Sequence, residues 1–290
     1  MKNNLDYYIL TMNNNMLCIC DLDGTLLLPG GRLSSESKYY LNKLIKNGAN
    51  ITIASARTPG TIINILDGLN IKLPVACMNG SAIYDINRRK FLQKHTIPIK
   101  TTKIIKNIFS QSNLNLFIHC PSDDNSLNIY YTNLSNPAEI KFFNQRKNIP
   151  LKKYIKGNIN SSDEPVFLVA INKKSILKPI SLKLKNITNI KCCLYKDVYN
   201  EDTYFLEIYN KKASKKFALN WLKSYCNAQK TIAFGDNDND IPMLNAADIS
   251  YAVSNGTAAC KSVCDFVIGS NENDSVAKTI ASIYNMPYQD

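Results

Sequence analysis

The sequence is short of what thiolate-metal, disulfide-framed and membrane-spanning proteins need. It has two histidines, one tryptophan and nine cysteines, and no two cysteines stand in a C-x-x-C pair. Cys18 and Cys20 are two apart in an apolar run, Cys192 and Cys193 are adjacent, and Cys260 and Cys264 are four apart. With only His95 and His119 to supply imidazole, this spacing argues against a zinc site. An odd number of cysteines cannot close a complete intrachain framework. Reduced thiols and a cytoplasmic location are therefore expected. No apolar run approaches the roughly 20 residues that span a bilayer, so no membrane partner is expected. Near the N-terminus only Tyr7 to Leu10 are apolar in sequence. A signal peptide needs about 7–15 such residues, and residues 1–15 read as a polar extension. No G-x-x-x-x-G-K-[ST] occurs, which removes the P-loop nucleotide binders.

Acidic residues are scarce as well. Against 35 Lys and Arg there are 23 Asp and Glu, a net charge of +12 in 290 residues. Such a surplus points to an anionic partner: nucleic acid, an acidic membrane, or a small phosphate-bearing molecule. Composition does not choose among them. An apolar fraction of 45% is that of an ordinary globular chain, and the length suggests about two domains.

What is present is an alternation of strand and helix signals. Leu17-Cys18-Ile19-Cys20 is a continuous apolar run, as in a strand covered on both faces of a parallel sheet. Ser34 or Ser35 can cap a helix with Leu41, Leu44 and Ile45 on its inner face, and Gly48 can stop it. Ile51–Ala54 reads as a second strand, Ile62, Ile65, Leu66 and Leu69 fall at helical spacing, and Pro74–Met78 reads as a third strand. From about Ile83 to Asn210 strands dominate: Leu116–Cys120, Leu127–Thr132, Val166–Ile171, Cys192–Tyr195 and Tyr204–Tyr209. After Lys211 the alternation returns, and Thr231–Phe234 is a strand ending on Gly235. The expected architecture is α/β, a doubly wound, Rossmann-like parallel-sheet core from residues 16–82 and 211–290. An α+β module, residues 83–210, is inserted into it.

Ligands of open parallel sheets bind at the carboxyl ends of the strands. Here those ends read Asp21-Leu22-Asp23-Gly24-Thr25, Ser55-Ala56-Arg57, Asn79-Gly80-Ser81 and Gly235-Asp236-Asn237-Asp238-Asn239-Asp240. Carboxylates brought together from different strands repel unless a cation sits between them. An all-oxygen set suits Mg²⁺. An Asp-Gly pair alone is as readily a turn, and Lys215 lies in a basic run of the kind that usually lines a solvated helix. The alternation of Asp236, Asp238 and Asp240 resembles an EF-hand loop, but Ile241 and Ala247 stand where that loop needs Gly and Glu.

Taken in order, Asp21-Leu-Asp-Gly-Thr-Leu, Ser55-Ala-Arg57, Lys215 and Gly235-Asp236-x-x-Asn239-Asp240 resemble the four motifs of the haloacid dehalogenase-like (HAD) phosphohydrolase superfamily. The inserted module is similar in size and strand content to the cap of its Cof-type, subfamily IIB members. Ala56, Lys216 and Ser275 stand where that family usually has glycine. The resemblance implies a Mg²⁺-dependent phosphatase acting on small phosphorylated metabolites, sugar phosphates among them. Asp21 would be the nucleophile that forms an aspartyl-phosphate, and Asp23 the general acid and base. Mg²⁺ would be held by Asp21, the Asp23 carbonyl and Asp236, with Asp240 holding a metal water at one remove. Leu22, Ser55, Ala56, Lys215 and Asn239 would bind the phosphoryl oxygens. The cap would select the leaving group and exclude water. A phosphomutase or phosphotransferase would share these core motifs. A nucleic-acid binder with a vestigial hydrolase core is the other alternative, but the lysines are dispersed and no RRM-type signature occurs. No nucleic-acid partner is expected.

Overall fold

A computed structural model describes residues 15–197 and 202–286, so most of the polar N-terminal extension lies outside the described residues. The first strand, β1 (Met16–Cys20), is fully buried from Leu17 to Cys20. Each such Leu or Ile contributes about 1.5–3 kcal/mol of apolar burial. The first helix, α1 (Ser35–Lys46), begins at Ser34, whose hydroxyl accepts the Ser37 N–H at 2.8 Å. A cap of this kind contributes about 1 kcal/mol. Tyr40, Leu41, Leu44 and Ile45 form its buried face. Gly48, at φ +93°, turns the chain back into β2 (Asn50–Ile53). The short α2 (Pro59–Ile65) opens on a proline, where a missing N–H costs nothing. Beyond it, β3 (Val75–Cys77) joins β2 through a parallel bridge between Ala54 and Ala76. Its antiparallel partner β4 (Ala82–Asp85) keeps residues up to Arg88 in the first of two compact units.

The second unit spans Arg89–Ala213. It contains β5 (Lys90–Lys94), α3 (Ile99–Ser110), β6 (Phe117–Pro121), β7 (Leu127–Tyr131), α4 (Pro137–Arg146), β8 (Lys152–Lys156), β9 (Phe167–Asn172), α5 (Lys174–Leu184), β10 (Ile190–Lys196) and β11 (Tyr204–Asn210). Among the described residues its main sheet has the order β10-β11-β9-β6-β7-β8 and is antiparallel except where β7 meets β8. Period-2 alternation turns Ile118, Cys120, Leu168, Ala170, Leu206 and Ile208 into one cluster with Ile105 and Phe109 of α3 and Leu177, Ile180 and Leu184 of α5. On the opposite face Phe117 meets Phe142 of α4, ring centroids 5.2 Å apart. The unit is α+β, as the strand-rich middle of the sequence implies.

The chain then completes the first unit with α6 (Lys215–Tyr225), β12 (Lys230–Gly235), α7 (Ile241–Leu244), β13 (Ile249–Val253), α8 (Ala258–Val263), β14 (Phe266–Ile268) and α9 (Ser275–Ile283). With β3 beside β2, the parallel sheet reads β3-β2-β1-β12-β13-β14. The order reverses between β1 and β12, the topological switch point where ligands of such sheets bind. Register places Cys20 opposite both Phe234 and Ile53, so Asp21, Ser55 and Asp236 emerge at one edge. Among the described residues no helix is long and apolar enough to cross a membrane, and none of the nine cysteines is in a disulfide.

Candidate active site

Asp21 leaves β1 with its N–H on the Phe234 carbonyl at 3.0 Å and its side chain buried. The chain turns sharply over Leu22–Leu26. Leu22 sends its side chain into the core, so only its backbone can serve the site. Gly24 has φ +77°, and a Cβ there would lie 2.5 Å from Asp236 Oδ2. Both facts demand glycine. Thr25 donates to Asp236 Oδ1 at 2.9 Å, tying the turn after β1 to the loop after β12.

Lys215, the first residue of α6, is fully buried. Its Nζ lies 2.5 Å from Asp21 Oδ1 and 2.5 Å from Asp240 Oδ1. Ser214 sets this helix start by accepting the Phe217 N–H at 3.0 Å. The other oxygen of Asp240 accepts the N–H groups of Asp236 and Asn237, both at 3.1 Å. Asp240 therefore fixes the Asp236 loop and Lys215 together. Gly235 makes room for it, since a Cβ there would fall 2.6 Å from Asp240 Cβ.

The electrostatics follow from this crowding. Burial lifts Asp21 well above the usual carboxylate range, Lys215 pulls it back, and the charges of Asp240, Asp236 and Asp23 add to the rise. Burial, then the charge of Asp240, pushes Asp236 up to about 7. Burial alone would lower Lys215, but Asp21 and Asp240 hold it above its ordinary value. One oxygen from each of Asp21, Asp236 and Asp240 can be chosen within 4.8 Å of the others. Fully ionised, three carboxylates against one ammonium leave two negative charges in this space; burial, and then that repulsion, is what raises Asp21 and Asp236. A hard divalent cation such as Mg²⁺ fits that donor set and balances that charge.

The remaining sequence-predicted residues border the same strand ends. Ser55 is buried, and its hydroxyl accepts the Arg57 N–H at 3.2 Å; Ala56 beside it is half-buried. Asp23 is partly exposed and gripped by Arg57. Asn239 donates from Nδ2 to Asn79 Oδ1 at 3.1 Å. The sequence gives no part to Arg57 or Asn79, nor to Asn255, which closes a tail phrase, Ala252-Val253-Ser254-Asn255, similar to those of subfamily IIB. Asn255 donates to the Gly24 carbonyl at 2.8 Å and accepts the Asn271 N–H at 3.0 Å, bracing the turn after Asp21. Arg57 carries the signal of the Ser55-Ala-Arg57 motif, and Asn79 only that of its place just beyond a strand.

A doubly wound core, an inserted α+β unit and an aspartate–lysine–aspartate cluster at the switch point define a class of hydrolases. The chain belongs to the haloacid dehalogenase-like hydrolase family, which it matches over residues 18–280. It is similar to the 5-amino-6-(5-phospho-D-ribitylamino)uracil phosphatase YitU of Bacillus subtilis, 23% identical over 282 residues that cover 93% of this chain and 98% of YitU. The pyridoxal phosphate phosphatase YbhA of Escherichia coli is 25% identical over 272 residues, 90% of this chain and 96% of YbhA. A haloacid dehalogenase-like hydrolase from Bacteroides thetaiotaomicron superposes with a TM-score of 0.77 at 20% identity, covering 92% of this chain and 99% of the other. The HAD subclass IIB sugar phosphatase BT4131 superposes with a TM-score of 0.74 at 20% identity, covering 92% and 98%. At that identity the two structures establish a shared fold. The protein is an enzyme of this hydrolase family, and YitU and YbhA, each matched over nearly its whole length, are phosphatases.

Proposed function

We propose that this protein is a Mg²⁺-dependent phosphatase that hydrolyses small phosphorylated metabolites, sugar phosphates among them, through an aspartyl-phosphate. The observation that carries the reading is the buried cluster in which Lys215 bridges Asp21 and Asp240 beside Asp236. A carboxylate paired with a fixed cation at the end of a buried central strand supports a nucleophilic role for Asp21.

Asp21, Asp236 and the carbonyl of Asp23 are the groups that would hold Mg²⁺. When bound, the ion neutralises phosphate charge. A carboxylate oxygen of Asp21 attacks phosphorus while the ester P–O bond breaks. With one oxygen freed from Arg57 and protonated, Asp23 hands that proton to the departing alkoxide and then takes one from water. That water attacks the phosphorus of the aspartyl-phosphate, releasing inorganic phosphate and restoring Asp21. Lys215, Ser55, Asn239 and the backbone N–H groups at Leu22 and Ala56 donate to the phosphoryl oxygens throughout. Phosphate monoesters are among the slowest molecules to hydrolyse unaided, with accelerations up to about 10²¹ required, so such density of fixed charge is in proportion to the task.

The test is release of inorganic phosphate from a generic aryl phosphate and from a panel of phosphorylated metabolites. Asp21→Asn, which keeps shape and loses the nucleophile, is expected to abolish turnover in a protein that melts like the wild type. Near-normal turnover by that variant refutes the covalent route. Transfer of the phosphoryl group to added sugar or alcohol in place of water would reassign the enzyme as a phosphotransferase.

A further inference from the structure

Three successive residues of the turn that leaves β3 have left-handed backbones: Met78 at φ +52°, Asn79 at +56° and Gly80 at +81°. For a residue such as methionine this conformation costs about 1–2 kcal/mol. Strain of that kind persists only where the surroundings hold it. Here they do. The Met78 N–H donates to the Arg57 carbonyl and the Asn79 N–H to the Ser55 carbonyl, both at 3.0 Å. Gly80 lies so close to Ser214, which caps the helix of Lys215, that a Cβ would sit 2.3 Å from the Ser214 carbonyl oxygen. Asn79 is only 3% exposed, and its Oδ1 accepts from Asn239 Nδ2. A single strained turn thus touches the elements that carry Ser55, Lys215 and Asn239.

We infer that Asn79 is a positioning residue for phosphate binding, acting through Asn239; the inference rests on the reading of Asn239 as a phosphoryl donor. A carboxamide nitrogen carries two hydrogens. Holding one of them on Asn79 fixes the plane of the Asn239 amide and leaves the other to reach a phosphoryl oxygen. Without that anchor the amide has to be ordered at the moment of binding, at a cost to affinity. Asparagine suits this place twice over. It tolerates the left-handed backbone that the turn imposes, and it supplies a neutral acceptor where a carboxylate would repel the phosphate.

The experiment is titration of the full-length protein with inorganic phosphate in the presence of Mg²⁺, read by calorimetry. The proteins compared are the wild type, Asn79→Gly, Asn239→Ala and the double variant. Glycine keeps the left-handed turn and removes the acceptor. Asn79→Gly is expected to weaken phosphate binding by about 5–10-fold, in keeping with one lost hydrogen bond, without moving the melting temperature in step. The double variant is expected to bind no worse than Asn239→Ala alone. Phosphate affinity unchanged in Asn79→Gly, or losses that multiply in the double variant, overturns the positioning role. If Asn239→Ala itself binds phosphate like the wild type, the donor reading of Asn239 fails and this inference falls with it. The wild type offers a second readout that needs no folded variant. Phosphate should shift one of the two side-chain amide protons of Asn239 in an NMR titration, and equal movement of both overturns the proposal.

Discussion

Arg57 holds both carboxylate oxygens of Asp23, Nε on Oδ2 and a terminal guanidinium nitrogen on Oδ1, each at 2.6 Å. The two residues are 34 positions apart, at the ends of neighbouring strands. Such a fork fixes the carboxylate plane as well as its place, which a lysine ammonium cannot do.

Arg57→Lys is therefore expected to cut kcat on an alkyl phosphate by about 10–100-fold, a large part of what a positioned acid–base group supplies. An aryl phosphate, whose leaving group needs little protonation, should lose much less in its first step. Burst and steady-state kinetics on the two substrates check this. Equal losses on both would mean that Arg57 acts on something other than Asp23.

Gly24→Ala tests the turn after Asp21. The added Cβ meets Asp236 Oδ2 at 2.5 Å in a backbone of φ +77°. The conformational cost alone is about 1–2 kcal/mol, and the displaced Asp236 should lower Mg²⁺ affinity as well. Thermal melting with and without Mg²⁺ separates the two effects. A variant that melts lower but binds Mg²⁺ normally would show that Asp236 yields without consequence.

The raised carboxylates make stability depend on pH in a definite direction. Between the ordinary value of 3.8 and about 7, folded Asp236 keeps a proton that the unfolded chain has released. The metal-free protein should lose stability as pH rises through that window. Mg²⁺ displaces the proton, so the gain in melting temperature on adding it should grow from about pH 5 to about pH 7.5. EDTA should abolish phosphatase turnover, with Mg²⁺ restoring it. A Mg²⁺-induced gain that is flat with pH contradicts the coupling.

His119 in the second unit gives the opposite slope. Burial, then the charge of Lys152, pushes its pKa down to about 3, although its ring nitrogen meets the Phe167 carbonyl at 3.1 Å. The unfolded chain takes up a proton near 6.5 that the folded unit refuses, so stability falls as pH drops from about 6.5 towards 3. His119→Gln, which can still meet Phe167 but does not titrate, should unfold along a shallower acid profile. Identical profiles would show that His119 is not a source of acid sensitivity.

Much of this protein is set by local sequence. The apolar run before Asp21 calls for burial on both faces, and it forms the buried strand β1. Ser34 and the 41-44-45 stripe make α1 for the same kind of local reason. Asp21, Asp23, Lys215 and Asp236 were legible because each stands at a strand end or a helix start. Other pieces were not. Lys152–Lys156 is a strand whose five residues include three lysines, and α5 continues through Pro179; in both, tertiary context overrides propensity.

The pairings that make the site chemical were decided only by the tertiary structure. No spacing rule links Asn79 to Asn239 across 160 residues, or lays Asn255 on the carbonyl of Gly24. Those meetings depend on strand order and on Cys20 standing level with both Phe234 and Ile53. The physical reason is one of range. Propensity and periodicity act over a turn or a strand, whereas a hydrogen bond between side chains forms only where the whole sheet has already delivered both partners to within about 3 Å.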